Sequence, residues 1–239
     1  MMVRQLWKRA KRATAVVTGR GIGAAAAAFA LVAAVVLGGT VSGMSVAEAK
    51  PAWGFSGKWA CSGQPVAAGW VITDHDGKGC GGWGSWYQQP AKDGIWTCSG
   101  SPVVAGYVIT DHMTSGCGGI GSWRHNLVHD GIWTCSGSPV VPGYVISNHF
   151  RAGCGGIGSW QHSLPHDGIW TCSGSPVVAG YVITGHTTWG CDGAGSWRHN
   201  TARAGLWACP GSPVPPGFRS TSYNAGACDG LGGWQLARA

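Results

Sequence analysis

Glutamate is missing from residues 50–239, leucine occurs there only five times, and charged side chains make up 10% of the 239-residue chain. So little charge beside 15 Trp excludes a disordered polyelectrolyte, which needs high charge and few aromatics. Scarce Glu and Leu, with Gly or Pro interrupting every apolar run, leave no window for a helix of ordinary length. A basic surface for nucleic acid is missing too. Of the formal charge of +7, residues 1–49 carry +5 (six Lys and Arg against Glu48) and residues 50–239 only +2 (ten against eight Asp). No nucleic-acid partner is expected.

Gly (43 residues), Trp and Cys (10) are what the chain has in excess. Residues 1–49 read as a signal peptide: a basic stretch to Arg20, an apolar stretch from Ala24 to Leu37, and Ala47-Glu48-Ala49 as the small-x-small cleavage pattern. The mature chain then starts at Lys50, secreted or held at the cell surface, with no stable membrane insertion. The alternative is an uncleaved anchor, because Ile22 to Val41 is a run of 20 weakly apolar residues. The segment has no paired arginines, which favours export as an unfolded chain whose cysteines meet an oxidising compartment.

The ten cysteines form two arithmetic series. Cys61, Cys98, Cys135, Cys172 and Cys209 are 37 apart, as are Cys80, Cys117, Cys154, Cys191 and Cys228. After a linker at 50–57, the repeats run 58–92, 93–129, 130–166, 167–203 and 204–239. Within a unit the pattern is β: Ile95-Trp96-Thr97-Cys98 follows the turn signal Asp93-Gly94, and Gly106 to Asp111 and Ile120 to Arg124 read as second and third strands. The expected fold class is all-β: five tandem disulfide-stapled repeats of about three short strands, stacked or strung like beads. A closed ring asks for a fuller unit, since a propeller blade needs four strands. Repeat 5 reads as a capping unit, with Ala204 for the turn Asp, Tyr223 for a recurring His, and Pro215-Pro216 in its middle.

The cysteines can pair within a repeat or between neighbours, and spacing alone does not choose. A 37-residue unit is too small to hold a core unaided, which favours the within-repeat staple at ~3 kcal/mol for each loop. Zinc is the competing use of the same residues, because His75, His112, His149 and His186 each lie between the two Cys of their repeat. A fourth ligand would come from His125, His162 and His199, but Gln88 and Leu236 take that column in the outer repeats while both cysteines persist. That pattern indicates disulfides, and neither a metal nor a cofactor is expected.

Three aromatic columns remain. Trp59, Trp96, Trp133, Trp170 and Trp207 precede the first Cys, and Trp86, Trp123, Trp160, Trp197 and Trp234 follow the second. Both are assigned to packing. The third column, Trp70, Tyr107, Tyr144, Tyr181 and Phe218, exchanges freely among aromatics and is the candidate stacking platform for a ligand. Trp83 and Trp189 stand outside the columns and are further candidates, since repeats lacking them still complete the pattern. Catalytic residues are not expected. The turn Asp column (Asp93, Asp130, Asp167) is explained by turn formation, and Asp74-His75 and Asp111-His112 lose their Asp in repeats 3 and 4. Repetition favours many weak contacts acting together. The expectation is a secreted, non-catalytic, multivalent binder of a cell-envelope or environmental polysaccharide; the alternative is a structural, self-associating surface protein.

Overall fold

In a computed structural model of the chain, residues 57–239 are described. The expected signal peptide and residues 50–56 of the linker lie outside the described residues. Each repeat forms one three-stranded antiparallel sheet with its third strand in the middle. Repeat 1 supplies β1 (Lys58–Cys61), β2 (Trp70–Asp76) and β3 (Ser85–Pro90), and repeat 2 supplies β4 (Ile95–Cys98), β5 (Tyr107–Met113) and β6 (Ser122–Leu127). Repeat 3 has β7 (Ile132–Cys135), β8 (Val145–Phe150) and β9 (Ser159–Ser163). Repeat 4 has β10 (Ile169–Cys172), β11 (Tyr181–Thr187) and β12 (Ser196–Thr201), and repeat 5 has β13 (Trp207–Ala208), β14 (Phe218–Asn224) and β15 (Gly233–Arg238).

The third strand starts later than the apolar pattern suggests. Ile120 lies in the preceding turn, 41% exposed, because Gly121 at φ 95° redirects the chain before Ser122 joins the ladder. Each second strand carries a bulge, as after Ile109 where Asp111 next pairs with Arg124. The second cysteine of every repeat occupies the left-handed region, with φ from 46° to 54°. That conformation is costly for a residue with a Cβ, and it recurs five times at a side chain committed to a disulfide. The glycine before it in repeat 2, Gly116, admits no substitute: a Cβ there would collide with Ser122 Oγ.

All five disulfides close within a repeat, Cys61–Cys80, Cys98–Cys117, Cys135–Cys154, Cys172–Cys191 and Cys209–Cys228, with Cα atoms 5.2–5.6 Å apart. The sheets are stacked in one unit rather than strung out. The second strand of each repeat packs on the first strand of the next, β2 on β4, β5 on β7, β8 on β10 and β11 on β13. A serine clasp recurs at every junction: the N–H groups of Ile72, Ile109, Ile146 and Ile183 donate to the hydroxyls of Ser101, Ser138, Ser175 and Ser212 of the following repeat at 2.8–2.9 Å. Burial follows the stack. Cys98, Cys135 and Cys172 are at most 1% exposed, whereas Cys61 on the outermost first strand is exposed.

The core lies between sheets as well as within them. At the last junction Val182 of β11 packs with Ala208 of β13 and Leu236 of β15. In repeats 2–4 the positions of Ala208 and Leu236 hold Thr97 with His125, Thr134 with His162, and Thr171 with His199. These six side chains are at most 1% exposed, and each Thr Oγ1 lies 3.1–3.2 Å from its histidine Nε2. Each Thr hydroxyl also lies 3.2 Å from a backbone carbonyl, that of Trp123, Trp160 or Trp197. With that carbonyl accepting the hydroxyl proton, Nε2–H donates to Oγ1 and Nδ1 is left as a bare, buried lone pair. Desolvation holds all three imidazoles below the usual histidine pKa.

Candidate functional site

Directly opposed residues of antiparallel strands share one side of the sheet. Trp96 of β4 is opposed to Arg124 of β6, and Arg124 to Asp111 of β5, so an indole, a guanidinium and a carboxylate cross the sheet in one row. Repeat 3 aligns Trp133, Gln161 and Asn148, and repeat 4 aligns Trp170, Arg198 and Gly185. Repeat 1 aligns Trp59, Tyr87 and Asp74, with the two rings 5.4 Å apart. The polar members differ from repeat to repeat: Arg faces Asp in repeat 2, Gln faces Asn in repeat 3, and Arg faces Gly in repeat 4.

The row is open to solvent. Trp59, Trp133 and Trp170 are 51%, 39% and 43% exposed, and Arg124, Asp111, Asn148 and Arg198 are exposed or border solvent. Alternation sends Ile95, Thr97 and His125 to the other side, where they are buried. The first Trp column, assigned to packing because so small a unit needs its aromatics as core, is only partly covered, with Trp96 and Trp207 intermediate and the other three exposed. An indole face offers an apolar platform, and the guanidinium or amide on the neighbouring strand, with the carboxylate one strand further, can donate to or accept from hydroxyl groups.

The other candidates are distributed differently. Trp70, Tyr107, Tyr181 and Phe218 open the second strands, Tyr144 immediately precedes β8, and all five are half-buried. Tyr181 donates its hydroxyl to the Pro165 carbonyl at 3.0 Å, and burial raises the Tyr107 phenol above its usual pKa. Lys58 lies 5.6 Å over the Trp70 ring, while Phe218 packs on the last junction with the Arg238 guanidinium 4.8 Å from its ring. Tyr144 borders an apolar groove of about 690 Å³ formed by the loops Val140–Gly143 and Pro176–Ala179. Trp83 and Trp189 are 84% and 81% exposed. Trp83 stands where Ile120, Ile157 and Leu231 are also exposed, at the turn after the second cysteine, an apolar rim that strand patterning concealed.

The second Trp column is a stacking partner. Trp86, Trp123, Trp160 and Trp197 lie 4.0–4.3 Å, centroid to centroid, from His75, His112, His149 and His186, and Tyr223 meets Trp234 at 5.1 Å in repeat 5. The histidines placed between the cysteines are thus aromatic neighbours, and all ten sulfurs are in disulfides, leaving no thiolate for zinc. Among the described residues no three His, Cys, Asp or Glu side chains converge as a metal site.

The carboxylates next to histidines serve the backbone. Asp74 and Asp111 accept the main-chain N–H of His75 and His112 at 2.8 Å. The turn aspartates clasp their own repeat shut: Asp93, Asp130 and Asp167 accept the N–H of Leu127, Leu164 and Thr201 at 2.8 Å. The Leu127 N–H and the Asn126 amide hold the Asp93 carboxyl below the usual range. The Asn200 amide, the Thr201 N–H and Arg203 draw the Asp167 carboxyl down to about 2. Comparison with protein-family models, characterised proteins and solved structures finds no match to this chain. Among the described residues no helix is long and apolar enough to cross a membrane.

Proposed function

We propose that the protein is a secreted, non-catalytic, multivalent binder of a cell-envelope or environmental polysaccharide. The observation that carries this reading is the first Trp column on a stacked array: Trp59, Trp133 and Trp170 are 39–51% exposed, Trp96 is part-buried, and in repeats 2–4 each indole is opposed to an Arg or Gln side chain. A polymer of sugars presents apolar ring faces edged with hydroxyls at a regular interval, which suits such a row. One contact of this kind is weak. Several on one scaffold act at high effective concentration, so retention rises steeply with the number engaged. The five disulfides fit export into an oxidising compartment.

The end repeats support a finite array over a self-assembling one. The clasp serine is replaced by Gln64 in repeat 1, and the apolar pair Val182-Ile183 becomes Arg219-Ser220 in repeat 5. Each change removes a group used at every internal junction, so one chain's last repeat is a poor seat for another's first. The test is co-sedimentation of the oxidised chain with washed peptidoglycan, chitin and cellulose, comparing the parent with Trp96→Ala, Trp96→Ala/Trp133→Ala and Trp59→Ala/Trp96→Ala/Trp133→Ala. One polymer should retain the parent, and each added substitution should weaken retention by a further factor. Unchanged retention of a folded triple variant, or no retention of the parent on any polymer, would end this reading.

A further inference from the structure

The four rows are not equivalent, and the difference is concentrated where repeats 4 and 5 meet. A cleft of about 460 Å³ opens there, lined by Trp170, His186, Thr187, Thr188, Trp189 and Asp229. Its volume lies within the roughly 300–1,000 Å³ of small-molecule sites. Its polar groups come from an exchange of partners between repeats. In repeats 1–3 the residue before the recurring histidine accepts that histidine's N–H: Asp74 for His75, Asp111 for His112, Asn148 for His149. Repeat 4 has Gly185 there, so the His186 N–H is left for Asp229 of repeat 5, whose Oδ2 accepts it at 2.9 Å.

The other junctions lack this arrangement. Gly118 and Gly155 occupy the position of Asp229 at the first two. At the third, Asp192 is held by Arg151 at 3.0 Å, with His149 Nδ1 at 3.7 Å. Asp229 forms no ion pair among the described residues, so one carboxylate oxygen remains to accept hydrogen bonds. Gly185 also leaves the floor beside Trp170 clear: a Cβ there would meet Trp170 Cη2 at 3.7 Å and Arg198 Cβ at 3.4 Å. Trp189 rises from the loop, its N–H donating to Thr187 Oγ1 at 3.1 Å.

We propose that this cleft, built on the repeat-4 member of the row, is a site for one pyranose residue of a neutral glycan that the rows of repeats 1–3 do not offer. Two indoles supply apolar platforms for the ring's C–H face, Asp229 accepts from hydroxyls, and the Thr187 and Thr188 hydroxyls complete the polar edge. The uncompensated carboxylate selects against uronates and other anionic sugars. The assignment rests on the polysaccharide reading and adds a division of labour, in which the row provides avidity and the cleft provides selection.

The test uses the full oxidised chain with ¹⁵N-labelled indoles, titrated with cellohexaose, with chitohexaose and with choline chloride. One hexasaccharide should shift the Trp170 and Trp189 indole signals with 1:1 stoichiometry. Trp189→Ala should weaken that binding by about tenfold or more. Gly185→Asp should do the same by restoring the side chain of repeats 1 and 2 beside His186, and the indole signals of repeats 1–3 should not move in either variant. Three results overturn the site: shifts with choline alone, which make it a cation cage; equal shifts at Trp96, Trp133 and Trp170; or no shift at Trp170 and Trp189 with any probe. Polymer retention with a silent cleft removes the site and leaves the array reading intact. Loss of retention by the parent chain removes the reading itself.

Discussion

Lowering the pH should loosen this protein well above the range where carboxylates protonate, through the buried imidazoles of His125, His162 and His199. Each is 1% exposed, hydrogen-bonded through Nε2 to a threonine, and has no partner at Nδ1. Protonation puts a charge and an unmatched N–H into a dry junction, and desolvation accordingly holds the folded-state pKa values below the usual 6.5. The unfolded chain takes up these protons first, so stability is complete above pH ~6.5 and falls as pH drops toward the folded values. Within that window each histidine contributes a slope of about 1.4 kcal/mol per pH unit, and the three together about 4, a large share of an ordinary domain's 5–15 kcal/mol. The assay is guanidinium unfolding followed by Trp fluorescence at half-unit steps from pH 7.5 to 4.5. The comparison is His125→Leu/His162→Leu/His199→Leu, for which Leu236 of repeat 5 is a native precedent. The variant should lose most of the slope. Equal slopes in parent and variant would refute the argument.

Other outcomes follow from single contacts. Ser138→Ala removes the acceptor of the Ile109 N–H at a half-buried junction and should cost about 1–3 kcal/mol in guanidinium unfolding, with faster amide exchange at Ile109. Cys135→Ala/Cys154→Ala should cost about 3 kcal/mol, read as loss of exchange protection centred on repeat 3. The Asp167 clasp is depressed to about 2, so its contribution is present above pH ~3.9 and lost as pH falls through 2, and carbon-detected NMR titration of that carboxyl should show the low midpoint. Arg151→Ala breaks a solvent-exposed pair with Asp192 and should shift stability by no more than about 1 kcal/mol, so a larger loss would show that the pair acts through the junction.

Much of the architecture was legible in the chain. The 37-residue register of the cysteines, the Ile-Trp-Thr-Cys strands and the Gly-bounded turns together specify a small stapled sheet, because a unit of this size has few other ways to hold a core. The within-repeat pairing followed from the same argument. The candidate site was less legible. The third aromatic column varies as a ligand platform can, and two of its members are engaged within the protein, Phe218 in packing and Tyr181 in a hydrogen bond. The first Trp column is expected in the core because so small a unit has little else to bury, but strand pairing sets it beside Arg124, Gln161 and Arg198 at the surface. A signal was present in the paired exchange of Arg124 with Asp111 for Gln161 with Asn148, and in threonine accompanying histidine in the three middle repeats and alanine replacing it at both ends.

What the sequence determined by itself is what repeats at fixed spacing: the unit, its staple and its strands, all set by contacts within 37 residues. What only the tertiary structure decided is which face of each sheet meets the next repeat. That choice is made where each second strand packs on the next first strand and the N–H groups of Ile72, Ile109, Ile146 and Ile183 find a serine of the following repeat. Stacking turns alternation along a strand into inside and outside, and a one-dimensional pattern does not carry that distinction when both faces of a sheet are partly covered.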